Sequence, residues 1–107
     1  MMPEQTIEFR YDTQLLLDHY VEDGEDADDV ADELRDEIIN YIETNIKGDS
    51  MAIAASSDED KYGEKANIKL HYHTNEPWQV LEYCRTHGEI YDIVVEDMDR
   101  QSRDLQG

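Results

Sequence analysis

The sequence predicts an α+β domain in which four antiparallel strands and two helices follow one another as β-α-β-β-α-β. Three observations carry that expectation. Residues 7–20, IEFRYDTQLLLDHY, begin with regular alternation of apolar and polar side chains. Residues 27–46 switch to helical spacing, with Val30, Leu34, Ile38, Tyr41 and Ile42 on one stripe. Residues 67–98 then read as strand, helix and strand, punctuated by Pro77 and Gly88.

The first strand places Ile7, Phe9, Tyr11, Thr13, Leu15 and Leu17 on one parity and Glu8, Arg10, Asp12, Gln14 and Leu16 on the other. The loop VEDGED turns at Gly24. Asp26 is the expected N-cap of the first helix, with Asp29 three residues on, where the helix dipole favours negative charge. Gly48 is expected to end that helix. MAIAAS (51–56) is a short strand, and SDEDKYGEKA (57–66) reads as a polar loop. In NIKLHYHT (67–74), Ile68, Leu70 and Tyr72 take the core parity, while Lys69, His71 and His73 take the other. Asn75 is the expected cap of the second helix, with Pro77 in its first turn, and Gly88 is its expected end. YDIVVEDM (91–98) is the last strand. The folded core is thus expected over about residues 7–98 of a single 107-residue domain, with 99–107 as a tail or linker. The order of elements is the ferredoxin-like split βαβ signature: sheet order 4-1-3-2, both helices on one face, the other face open.

Composition narrows the function. The chain has 28 acidic and 9 basic residues, a formal net charge of −19, which repels nucleic acid and anionic membranes. A wet face, salt adaptation and a basic partner are all compatible with this acidity. No run approaches the ~20 apolar residues of a membrane span. The N-terminus lacks the basic and apolar regions of a signal peptide. With one cysteine, Cys84, no internal disulfide is possible; this fits a reducing cytoplasm, with Cys84 packed as a small hydrophobe. Phosphate-cradling glycine loops and a nucleophile-elbow serine are missing from the sequence, so no catalytic residue is assigned.

The chemistry-bearing feature is the pair His71 and His73. Two residues apart on a strand, both imidazoles face the same way, on the open face. Strands one and three are neighbours in the expected sheet, so Asp12 projects beside them at the ~4.8 Å spacing of paired strands. Two imidazoles and a carboxylate form a three-ligand set for zinc or a related divalent ion. The bland alternative is two solvated histidines on a wet face. Asp92 or Glu96 of the last strand could reach the same place. His19 and His87 lie outside it and read as ordinary surface residues.

The stretches RYDTQLLL, GDSMAIAAS, LHYHTNEPWQVLEYCRTHGEI and YDIVVEDMDRQ occur in the order seen in one bacterial family. Over about residues 9–101 the chain resembles the middle (linker) domain of the fatty acid kinase family, also described as dihydroxyacetone-kinase-like or Dak-domain proteins. HYHTNEP is the most specific block. The resemblance implies a middle piece that binds metal and dimerises, with its cysteine and two histidines as zinc ligands. It also implies a kinase-type ATP- and Mg²⁺-binding domain and a fatty-acid-binding protein as partners. The histidines fall on His71 and His73, and the first-strand cysteine position falls on Asp12. Carboxylate oxygen is harder than thiolate, which weakens the preference for zinc. Trp78 stands where glycine is usual, and is expected to fill core or rim.

The sequence therefore predicts a non-catalytic metal-binding and docking module, homodimeric, with Asp12, His71 and His73 as ligands. It has no nucleotide cradle with which to act as a kinase alone. The alternatives are a small metal-dependent hydrolase or phosphatase using the same three residues, and a metal-free ferredoxin-like interaction domain.

Overall fold

The computed structural model describes residues 8–102. Ile7, at the start of the expected first strand, and residues 103–107 of the expected tail lie outside the described residues. Strand β1 (Tyr11–Tyr20) is followed by helix α1 (Ala27–Asn45), strands β2 (Gly48–Asp60) and β3 (Gly63–Thr74), helix α2 (Pro77–Cys84) and strand β4 (Glu89–Asp97). A five-residue helix, α3 (Met98–Ser102), begins at the last residue of the expected final strand and runs into the expected tail. The four strands form one antiparallel sheet in the order β2-β3-β1-β4, which is the predicted 4-1-3-2 read from the other edge. Helix α1 packs on β2 and β3, and α2 on β1 and β4. None of the described helices is long and apolar enough to cross a membrane.

The core lies between sheet and helices. Leu15 and Leu17 of β1, Ile68, Leu70 and Tyr72 of β3, Leu34, Ile38 and Ile42 of α1, and Val80 and Cys84 of α2 are buried together. Full burial of an aliphatic side chain contributes roughly 1.5–3 kcal/mol, so this cluster accounts for the two-layer arrangement. Asp26 caps α1 as expected, accepting from the backbone N–H groups of Asp28 (2.9 Å) and Asp29 (3.2 Å). Cys84 is buried as expected, and burial pushes its thiol up to about 12.

Several expectations are corrected. Phe9 precedes β1 and is only half-buried, as is Tyr11 at the strand's first position. The buried face of α1 runs through Ala27 and Ala31; Val30 is half-buried and Tyr41 is exposed, because the stripe nearest the sheet is rotated toward the small side chains. Gly48 does not end the helix. Ile46 leaves it in an extended conformation (φ −129°), and Gly48 opens β2. Glycine is needed there because a Cβ would overlap the Tyr72 ring and the His73 carbonyl. The expected 57–66 loop is mostly strand: β2 and β3 continue to a two-residue turn at Lys61 and Tyr62, and Gly63 takes φ 126°. The cross-strand ion pair of Lys65 with Asp60 (3.5 Å), and the Tyr20 hydroxyl donating to Asp60, hold this polar ribbon together. Asn75 does not cap α2. It accepts from Arg10 N–H (2.7 Å) and donates to the Glu8 carbonyl (3.0 Å), tying down the entry to β1. The N-cap position is Glu76, whose N–H donates to Thr74 Oγ1 at 3.1 Å. Helix α2 ends at Cys84, ahead of Gly88, where a Cβ would overlap the Asp18 carbonyl.

Candidate metal centre

The open sheet face carries the alternate residues of each strand: Asp12, Gln14, Leu16 and Asp18 on β1, and Lys65, Asn67, Lys69, His71 and His73 on β3. The β1–β3 register sets Asp12 opposite His73 and Gln14 opposite His71. The structure thus brings together the three residues singled out in the sequence. His71 Nε2 lies 3.0 Å from His73 Nε2, and Asp12 Oδ1 lies 3.1 Å from the first and 3.9 Å from the second. The two rings are tilted by 45° with centroids 5.0 Å apart, so their Nε2 edges converge while the rings diverge.

Asp12 Oδ1 is buried and accepts no well-formed hydrogen bond among the described residues. The short separation from His71 Nε2 is therefore one of proximity, not of hydrogen-bond geometry. A buried carboxylate oxygen left in that state is unfavourable by about 1–3 kcal/mol or more. A cation would satisfy it and both imidazole lone pairs together. The circle through the three donor atoms has a radius of about 2.0 Å, against the ~2.0–2.2 Å of zinc bonds to imidazole nitrogen and carboxylate oxygen. The residues present fit a divalent ion.

Two supporting residues escape a reading by sequence alone. Gln14 Nε2 donates to the other Asp12 oxygen, Oδ2, at 3.4 Å. Asp49 Oδ1 lies 3.6 Å from Nδ1 of His73. A carboxylate behind an imidazole can fix which nitrogen faces the metal. Gln14 shares the parity of Asp12, and that parity is the signal that could have found it. Asp49 carries no such signal, because a bulge between Asp49 and Ala52, with Ser50 at φ 56°, interrupts the β2–β3 register. A second irregularity, between Gln14 and Leu16 in the β1–β4 pairing, lies on the other side of the site. Of the two β4 candidates, Glu96 is the register partner of Asp12, and Asp92, at φ 49°, lines a shallow depression with Gln14, Lys69 and His71.

Farther along the same face is a second polar group of a different kind. Asp18 accepts from Lys65 Nζ (2.8 Å), Asn67 Nδ2 (2.6 Å) and Tyr91 Oη (3.0 Å). Burial pushes its carboxyl up, but those three donors outweigh burial and hold it below the usual range. Its partners are satisfied, so it reads as a structural clasp across β1, β3 and β4.

The remaining candidates fall elsewhere. His19 and His87 lie outside the centre but are half-buried: Nδ1 of His19 is 2.5 Å from the His87 carbonyl, and the His87 ring packs edge-on to Tyr83. Trp78 is 57 % exposed and meets the Tyr11 ring edge-on at 6.4 Å, so it fills no core. The single cysteine is in the core, leaving oxygen and nitrogen as the donors at the centre.

The family model for the FakA-like middle domain of fatty acid kinases matches residues 8–105. No curated protein matches the chain.

Proposed function

The chain belongs to the family of FakA-like fatty acid kinase middle domains, and from that premise we propose that it is a non-catalytic module holding one divalent metal ion on Asp12, His71 and His73. The observation that carries the proposal is the convergence of two imidazole nitrogens and an unsatisfied carboxylate oxygen within one bond-length radius. When bound, the ion supplies a cross-link between β1 and β3 at the centre of the sheet. The imidazoles favour zinc, and the carboxylate in place of a thiolate widens tolerance toward harder ions such as manganese. Gln14 orients the Asp12 carboxylate and Asp49 biases the His73 ring.

In this account the ion stiffens the open face, which docks against a second copy of the chain. The module thereby supports phosphoryl transfer carried out by an ATP-binding domain on a fatty acid delivered by a binding-protein partner. Elemental analysis of untagged protein tests the metal part: about one ion per chain is expected, and its loss in both His71→Ala and His73→Ala. Metal-free protein that takes up no added zinc or manganese contradicts it. Sedimentation over a range of concentrations tests the second-copy part, which a monomer throughout would remove.

A further inference from the structure

On the helical side of the sheet, away from the histidines, α1 and α2 leave a depression of about 480 Å³ lined by Tyr41, Trp78, Gln79, Glu82, Tyr83 and Thr86. Tyr41 and Tyr83 stack across the two helices with centroids 3.7 Å apart and planes 1° from parallel. Tyr41 is 39 % and Trp78 57 % exposed. Single exposed aromatics are ordinary, but two exposed rings, Tyr41 and Trp78, lining one concavity with the half-buried Tyr83 are not, since each carries a large apolar surface. Carboxylates border the rings. Glu82 lines the groove, and Glu37 sits one turn before Tyr41 on the same face of α1. Burial, then the charge of Glu37, pushes the Tyr83 hydroxyl up to about 12.

We propose that this groove binds a basic helical segment of a protein partner by taking an arginine side chain against Trp78 and Tyr41, with Glu82 and Glu37 facing its charge. The chemistry points to arginine. A guanidinium lies flat on aromatic faces and keeps its charge when partly desolvated. The chain already makes such a contact next door, with the Arg10 guanidinium 5.8 Å over the Tyr11 ring, itself packed on Trp78. Glu82 is held by Arg85 at 3.1 Å, but both side chains are exposed, so that pair exchanges readily for an incoming arginine. A groove between two helices suits a third helix. A second copy is the disfavoured occupant of this groove, because its helices α1 and α2 offer no free basic face: α2 has no basic residue, and Arg35 of α1 is flanked by Asp32 at 3.9 Å and Asp36 at 3.4 Å. The groove and the histidine site lie on opposite sides of the sheet, so this proposal stands independently of the metal.

Trp78 is the single tryptophan of the chain and reports directly on the groove. The probe is a short acetylated and amidated helical peptide with arginine and leucine at i, i+4 spacing; the control replaces each arginine with glutamate. The arginine peptide is expected to change Trp78 fluorescence saturably, and to shift amide resonances of α1 and α2 while leaving those of β2 and β3 in place. Tyr41→Ser should weaken binding by about tenfold, the loss of one ring face in a cation–aromatic contact. Glu82→Gln should weaken it severalfold without touching the rings. Both positions are exposed, and thermal melts confirm that the variants fold. For Trp78→Gly, calorimetry replaces fluorescence, and a loss of at least about tenfold is expected on the same grounds. The proposal is overturned by an absent or non-saturating signal, by equal binding of the glutamate peptide, by unchanged affinity in Tyr41→Ser, or by shifts spread over every acidic surface. Fluorescence that changes with protein concentration alone identifies a second copy as the occupant and also overturns it.

Discussion

Nε2 of His71 lies 3.1 Å from Oδ1 of Asp12, although the strand register pairs Asp12 with His73 and sets His71 opposite Gln14. The contact is the diagonal one between same-face residues of neighbouring strands, within reach of long side chains. It makes the site a triangle with a side chain at each corner. Gln14 and Asp49 stand behind two of the corners.

That arrangement orders the effects of substitution on metal affinity. His71→Ala and His73→Ala each remove a corner and should lower zinc affinity by more than about 100-fold. Gln14→Ala leaves the three donor atoms and should fall in the ~10–100-fold range of supporting residues. Titration calorimetry of the three variants against the parent protein checks the ordering. Equal losses for Gln14→Ala and His71→Ala would place the metal elsewhere.

Asp12→Cys exchanges the oxygen donor for sulfur at the same corner. A thiolate is softer, so selectivity for zinc over manganese should rise even where total affinity changes little. Competition between the two ions, read by elemental analysis after desalting, measures the shift. The same side chain would also be the first accessible thiol, since Cys84 is buried.

Gly48 is where fold and site meet. Its missing side chain lets β2 start against the Tyr72 ring and the His73 carbonyl. Gly48→Ala forces these groups apart and should destabilise the protein by about 1–3 kcal/mol, as overpacking does. It should also weaken metal binding through the displaced His73. Urea unfolding with and without zinc separates the two effects.

The clamp at the end of β1 gives a pH signature. Arg10 Nε and Nη2 donate to both oxygens of Asp97 at 2.8–3.0 Å and hold its carboxyl at about 2, below the ordinary 3.8. A carboxyl depressed on folding stabilises the native state above its unfolded value, and that contribution is lost as pH falls through the folded one. Arg10→Gln should therefore be less stable than the parent at neutral pH, and the difference should shrink between about pH 4 and pH 2. Unfolding midpoints across that range check it; a constant difference would assign the effect of Arg10 to packing.

Much of this is legible from side-chain parity. The alternation of Leu15 and Leu17 against Asp12 and Gln14, and of Ile68, Leu70 and Tyr72 against His71 and His73, sets both the core face and the face that carries the site. Periodicity locates α1, and the Asp26 cap locates its start. The rest depends on contacts between residues distant in sequence. The hairpin beyond Ser56 resembles a loop because its polar residues are stabilised across the ribbon, by pairs such as Lys65 with Asp60. Asn75 resembles a cap because its use as a tether for Arg10 and Glu8 is set by tertiary structure. Asp49 is hidden by a bulge, which no parity argument crosses. Tyr41 fits the helical stripe by spacing, yet stacks outward on Tyr83 because α2 lies beside it.

The most direct measurement is an anomalous difference map from crystals of untagged protein soaked with zinc. The account predicts a strong peak at about 2.0–2.2 Å from Nε2 of His71, Nε2 of His73 and Oδ1 of Asp12. A map with no peak between these three atoms, at zinc concentrations that saturate binding in solution, would contradict it.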